Sequence, residues 1–208
     1  LITEETIDEA VTKLFEARFR LGMFDDDCEY DKIPFDVVEC DEHKAINLKM
    51  AEESIVLLKN NGILPLDRSK YKTIAVVGPN SDRYSTLIGN YNGNPSKYYT
   101  PLRGIQDEFE GKVLYAGGCH PTDICSSMWG GVPFREAIIC AEKADLVIMC
   151  MGLNPGIEGE EGDAYNGDVA GDKKDIELPA SQKKLFDEII KLGKPTVFVN
   201  ISGSCVAL

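Results

Sequence analysis

Histidine, tryptophan and paired cysteines are scarce in this sequence. It has two histidines, His43 and His120, and one tryptophan, Trp129. Neither histidine has a convincing cysteine or histidine partner nearby, and the cysteines include no C-x-x-C pair. We therefore expect no zinc site, no other metal and no disulfide framework. An odd number of cysteines, with Cys140 and Cys150 inside apolar stretches, favours buried thiols and a reducing compartment over secretion. The seven cysteines are residues 28, 40, 119, 125, 140, 150 and 205.

Positive charge and long apolar runs are also lacking. Twenty-two basic residues face 35 acidic ones, which gives a formal charge of −13. This charge argues against nucleic acid or an anionic membrane surface as a partner, but it is compatible with a neutral ligand such as a sugar. No run approaches the roughly 18 apolar residues of a membrane span. The chain starts without Met and stops inside an apolar run, so we expect it to be an excerpt.

Apolar runs and helical patterns alternate along most of the chain. Buried strands are predicted at 73–77, 112–115, 146–151 and 196–200. Strands that alternate with helices in this way predict an α/β fold, with a mostly parallel sheet and helices on both faces. No glycine-rich phosphate motif follows the first strand, so we expect no nucleotide cofactor.

Five helices are predicted. Thr3 can cap the first, Glu4 and Glu5 suit its first turn, and Gly22 ends it. Residues 25–41 have no sustained period and are interpreted as a linker, so the first helix is expected to belong to a domain upstream. The helices are expected at about 3–21, 42–60, 102–109, 134–143 and 180–192.

The longest loop, residues 152–178, is rich in glycine, asparagine and acid. Between Glu158 and Glu177 it contains eight carboxylates against two lysines. A loop of this length is either functional or disordered, and crowded carboxylates raise each other's pKa, which suits a general acid. A solvated, mobile loop is an equally open interpretation. A calcium site is disfavoured because Asp163, Asn166 and Asp168 miss the ligand spacing of an EF-hand.

The carboxyl edge of the predicted sheet is where a ligand is expected. Ligands of open parallel sheets bind beyond the carboxyl ends of the strands. The loops at 78–80, 117–131 and 152–178 all lie at that edge. Tyrosines and asparagines in residues 84–99 are typical both of sugar-binding surfaces and of ordinary tight loops, and both interpretations stay open here.

Several motifs resemble those of glycoside hydrolase family 3. Residues 1–11 (LITEETIDEAV) and 17–24 (ARFRLGMF) look like the last helix of that family's N-terminal (β/α)₈ barrel. Residues 52–60 (EESIVLLKN) and 74–80 (IAVVGPN) resemble the opening of the family's second domain, an α/β sandwich. Finally, 152–163 (GLNPGIEGEEGD) is most similar to the β-xylosidase branch.

This resemblance implies both a domain layout and a catalytic residue. Residues 1–24 would end the barrel domain, 25–41 would link the domains, and 42–208 would form a truncated α/β sandwich domain. Members of the family are retaining exo-acting β-glycosidases with an Asp nucleophile on the barrel and a Glu acid/base on a loop of the second domain. By its place in the motif the acid/base is Glu158, with Glu160 and Glu161 as rivals; the nucleophile lies outside this chain.

The activity implied is that of a β-xylosidase acting on the ends of xylo-oligosaccharides. β-Glucosidase or α-arabinofuranosidase activity of the same family is the nearest alternative. A non-catalytic carbohydrate-binding or scaffolding module is an alternative of another class. The partners implied are a β-linked oligosaccharide substrate and the N-terminal barrel domain of the same protein, with no nucleic acid and no membrane.

Overall fold

The computed structural model describes residues 2–89, 91–122, 132–158 and 175–207. The chain divides into two compact units, Leu1–Val56 and Leu57–Leu208. The first unit contains helices α1 (Glu4–Arg20) and α2 (Asp41–Ser54). The domain limits predicted from the sequence, after residues 24 and 41, stay a prediction.

The two helices of the first unit differ in how well their ends follow the sequence. Helix α1 is capped as predicted, because the Thr3 hydroxyl oxygen accepts a hydrogen bond from the Thr6 N–H at 3.3 Å. The predicted extension of the second helix to residue 60 is wrong. Helix α2 ends at Ser54, and Ile55 is extended, with φ −73° and ψ 124°. The β-branched pair Ile55-Val56 explains this, since such side chains favour extended backbone over the helix.

The second unit is built on a four-stranded parallel sheet. Its strands are β1 (Thr73–Val77), β2 (Lys112–Ala116), β3 (Leu146–Gly152) and β4 (Thr196–Ile201), in the spatial order β2-β1-β3-β4. Every strand pairs in parallel with its neighbours. The predicted strands and the predicted parallel sheet are confirmed.

Alternate side chains of the strands fill two separate cores. On one face, Val77 and Met149 belong to a cluster with residues of α4 (Val132–Lys143) and α5 (Ala180–Ile190). On the other, Val76 and Ile148 belong to a cluster with Leu102 of α3 (Pro101–Glu108). Strand β3 is buried at every position, as expected for a central strand covered on both faces. The prediction of helices on both faces is therefore confirmed. Among the described residues, no helix is both long and apolar enough to cross a membrane.

Candidate functional site

The carboxyl edge of the sheet is tightly packed at two glycines that end neighbouring strands. Gly78 and Gly152 have φ of +114° and +116°, a region that L side chains rarely adopt. A Cβ on Gly78 would lie 2.3 Å from the Cys150 carbonyl oxygen, and one on Gly152 would lie 2.2 Å from that of Ile201. The close approach of these backbones fixes the points at which the loops leave the edge.

A compact turn, Asn154–Glu158, follows β3 and is anchored by Asn154. The Asn154 carbonyl oxygen accepts hydrogen bonds from the N–H groups of Ile157, at 2.8 Å, and Glu158, at 3.0 Å. Its side-chain oxygen Oδ1 accepts a third, from the Gly156 N–H at 3.0 Å. Leu153 and Ile157 are buried on either side. Together these contacts fix the backbone of Glu158.

The half-buried side chain of Glu158 is held by a second turn, Ser202–Ser204, which directly follows β4. The Gly203 N–H donates to Glu158 Oε2 at 3.0 Å, and the Ser204 hydroxyl donates to Oε1. Ser202 organises this turn, because its Oγ accepts from the Ser204 N–H at 3.3 Å and donates to the Ser204 carbonyl oxygen at 2.8 Å. Both oxygens of the carboxylate therefore have a defined partner.

Gln182, at the start of α5, is hydrogen-bonded to the end of β3. It is fully buried, and its Oε1 accepts from the Gly152 N–H at 2.8 Å. Its Nε2 donates to the carbonyl oxygens of Gly152, at 2.8 Å, and Pro121, at 2.7 Å. One side chain thus ties the loop after β2 to the base of the Glu158 turn. Our sequence interpretation missed Gln182, although it shares the apolar helix face of Leu185 and Ile189.

Buried amides line the same edge of the sheet. Neither side-chain polar atom of the fully buried Asn80 has a hydrogen-bond partner within the described part of the chain. The same holds there for Asn154 Nδ2 and Asn200 Oδ1. Buried amides are normally paired, so this edge retains hydrogen-bonding capacity next to the turn that holds Glu158.

The buried thiols are unsuited to nucleophilic chemistry. Burial raises the pKa of Cys119 to about 12, and it raises the pKa of Cys150 to about 11. Because the thiolate is the reactive form, neither group acts as a nucleophile near neutral pH. Cys28, Cys40 and Cys140 are also free thiols, whereas Cys125 lies outside the described residues.

Of the three candidate acid/base residues, only Glu158 falls in the described part of the chain. Glu160 and Glu161 lie outside it, so the choice among the three stays a prediction. Trp129 and most of the acidic loop also lie outside the described residues. Within the described ranges, no group of three His, Cys, Asp or Glu side chains is placed to hold a metal ion.

Comparison with known proteins identifies relatives along the whole chain. A β-xylosidase of Formosa agariphila is 38% identical over 208 residues, which cover 95% of this chain and 27% of that protein. A solved exo-β-xylosidase of family GH3, XlnD, in complex with a xylobiose aziridine activity-based probe, superposes with a TM-score of 0.78 at 33% identity. That match covers 96% of this chain and 24% of the enzyme. A β-glucosidase involved in saponin metabolism from intestinal bacteria gives 0.76 at 28% identity, covering 100% of this chain and 31% of its own.

The chain therefore spans 24% to 31% of the length of these relatives. The family model of the glycosyl hydrolase family 3 C-terminal domain matches residues 55–208, close to the second compact unit. This match covers well over half of the chain and includes the sheet, the Glu158 turn and the turn after β4. The chain belongs to glycosyl hydrolase family 3.

Proposed function

We propose that this chain supplies the general acid/base, Glu158, of a retaining exo-acting β-xylosidase. The observation that carries the proposal is the placement of one carboxylate at the carboxyl edge of the sheet, fixed by its own turn and held through both oxygens. A general acid must be held within reach of the atom that it protonates. The curated relatives carry β-xylosidase names, which supports this activity over the other glycosidases of the family.

The chemistry proceeds in two steps with Glu158 reversing its role. In the first step protonated Glu158 gives its proton to the leaving glycosidic oxygen while a second carboxylate attacks the anomeric carbon. In the second step the Glu158 carboxylate takes a proton from the water that releases the sugar. In a retaining enzyme the second carboxyl group, the nucleophile, lies about 5–5.5 Å from the acid/base.

We propose that this nucleophile comes from an N-terminal barrel domain of the same protein. Helix α1 supports the idea, because it is regular and capped yet has no buried residue. Its apolar side chains are exposed, Ile7 by 51% and Leu14 by 53%, as is typical of a helix that packs against a partner surface. β-Glucosidase activity is the second candidate, favoured by the similarity to the β-glucosidase of intestinal bacteria.

The test is Glu158→Gln in the full-length protein, compared with Glu160→Gln and Glu161→Gln. Loss of a general acid slows substrates with poor leaving groups most, because good leaving groups need little protonation. We expect kcat/KM for xylobiose to fall by about 10²–10⁴-fold, with a much smaller loss for an activated aryl β-xyloside. Azide, which needs no deprotonation, should attack the glycosyl-enzyme in place of water. It should therefore restore turnover of the aryl β-xyloside, with the glycosyl azide as product.

The matched variants decide between the candidate residues. If Glu160→Gln or Glu161→Gln gives the leaving-group signature and Glu158→Gln does not, the assignment of the acid/base is wrong. If none of the three does, this loop does not supply the acid/base. Absence of any glycosidase activity in the full-length protein would favour a non-catalytic carbohydrate-binding module.

A further inference from the structure

We infer that Ser204 is a positioning residue for catalysis, which holds Glu158 through both steps of the reaction. This inference rests on the proposed function of Glu158. It comes from the two-donor contact at the end of β4, where Gly203 N–H and the Ser204 hydroxyl each bind one carboxylate oxygen. The partners lie 45 and 46 residues away from Glu158 in sequence, so the contact is made by the tertiary fold.

A flexible glutamate side chain needs such a contact in order to act on one defined atom. The Asn154 turn fixes the backbone of Glu158 but leaves its side-chain torsions free to rotate. The turn after β4 supplies the missing restraint. Because β3 and β4 are hydrogen-bonded neighbours whose pairing extends to Gly152 and Ile201, the two turns leave the sheet side by side.

The two donors differ in what they can do when Glu158 changes its protonation state. An amide N–H only donates, so Gly203 can bind Oε2 whether or not the other oxygen carries a proton. A hydroxyl both donates and accepts. Ser204 therefore donates to Oε1 while Glu158 is ionised, and it can rotate to accept from the Oε1 proton before that proton moves to the glycosidic oxygen. The serine thus matches both the acid form and the base form, and it neither gains nor loses a proton.

Ser202 fixes the backbone of the turn that carries Ser204. Its hydroxyl accepts a hydrogen bond from the Ser204 N–H and donates one to the Ser204 carbonyl oxygen. The position of the Ser204 hydroxyl is consequently set by the turn. Ser204 itself is exposed, so replacing its hydroxyl removes little packing.

The test is a double-mutant cycle in the full-length protein with Ser204→Ala, Glu158→Gln and both together. We expect Ser204→Ala to lower kcat/KM for xylobiose by about 10–100-fold, with a smaller loss for an activated aryl β-xyloside. In the Glu158→Gln background the same replacement should cost nothing further, because Ser204 acts through Glu158. Ser204→Thr, which keeps the hydroxyl, should recover most of the activity, and exposed Ser69→Ala serves as the matched control.

A second measurement uses the 208-residue chain itself, so that it does not depend on activity. Crystal structures of Ser204→Ala and Ser204→Thr should show the Glu158 carboxylate displaced in the first and retained in the second. Should the alanine variant not fold, Ser204→Cys, which replaces the hydroxyl by a weaker donor, takes its place in both experiments.

The outcomes separate this inference from the proposed function. If Glu158→Gln does not slow xylobiose more than the activated aryl β-xyloside, both the proposed function and this inference are overturned. Two results would overturn only this inference while Glu158→Gln keeps the leaving-group signature. Either Ser204→Ala lowers kcat/KM equally for both substrates, or it lowers kcat/KM by the same factor in the Glu158→Gln background as in the wild type. In either case Ser204 has only a structural role. An unmoved Glu158 in the alanine structure has the same meaning.

Discussion

Gln182 shows how one buried polar side chain can support a candidate active site without touching the reacting atoms. Its amide satisfies three backbone groups of Gly152 and Pro121 at distances of 2.7–2.8 Å. Methionine has a similar length but cannot make these bonds, so Gln182→Met would leave buried backbone groups without partners. We expect the free energy of unfolding to fall by about 2–4 kcal/mol.

Urea unfolding of the 208-residue chain measures this loss. The matched control is Gln106→Met, the same replacement at an exposed helical position, for which we expect a change within about 0.5 kcal/mol. Equal effects at the two positions would contradict the role assigned to Gln182.

Asp145 links the starts of β1 and β3 through its carboxylate. Backbone N–H groups of Lys72 and Thr73 donate to its Oδ2 at 2.9 Å each, and these bonds hold the pKa of the carboxyl below its usual value. The stabilisation is complete above the unfolded pKa of about 3.9 and is lost as pH falls through the lower folded value. In the Asp145→Asn variant we expect the free energy of unfolding to fall less steeply as the pH is lowered. Urea unfolding at a series of pH values, from neutral to about pH 3, measures this. Identical acid declines in the variant and the wild type would rule out this contribution.

At the level of secondary structure, the strands could be predicted from the sequence because each contains a short apolar run. All four predicted strands agree with the structure to within one residue at each end. Helix α2 could not be placed as well, since Leu57 and Leu58 extend its apolar period although the β-branched Ile55-Val56 pair ends it. The apolar period of a sequence predicts which side chains share one face of a helix. It does not predict the residue at which the helix ends.

The site was predictable only in part, for a physical reason. Glu158 is proposed from its place in a motif that resembles the family's, but the partners that hold its carboxylate come from the turn after β4. Contacts between distant segments leave no trace in local composition or periodicity. Gln182 left a weak trace, because it is a polar residue at a buried position of an amphipathic helix.

The junction of β3 with its loop depends on Gly152. An added methyl group there would meet the Ile201 carbonyl oxygen at 2.2 Å, on a backbone whose φ already disfavours L side chains. Gly152→Ala should therefore lower the free energy of unfolding by about 3 kcal/mol or more, as measured by urea unfolding. Gly193→Ala is the matched control, because φ is also positive but nothing lies within 4 Å, so only about 1–2 kcal/mol is expected. Similar losses at both glycines would mean that the crowding at Gly152 is relieved cheaply.

At the scale of the whole molecule, charge and domain content agree with a neutral sugar substrate. The formal charge of −13 would repel polyanions but has no direct effect on an uncharged oligosaccharide. The second unit carries the proposed acid/base, and the proposed barrel domain would supply the nucleophile. The proposed mechanism needs two carboxyl groups that flank one glycosidic bond, and in our proposal each domain supplies one of them.

The 208-residue chain alone should therefore be unable to hydrolyse aryl β-xylosides, whereas the full-length protein should hydrolyse them. Even an activated leaving group still needs a nucleophile at the anomeric carbon, and the proposal places this group on the barrel. Release of the phenol from an aryl β-xyloside, measured for the isolated chain, its Glu158→Gln variant and the full-length protein, tests this prediction. Turnover by the isolated chain above background, retained in part by its Glu158→Gln variant, would show that this chain contains both carboxyl groups. The nucleophile would then have to be sought among its own acidic residues.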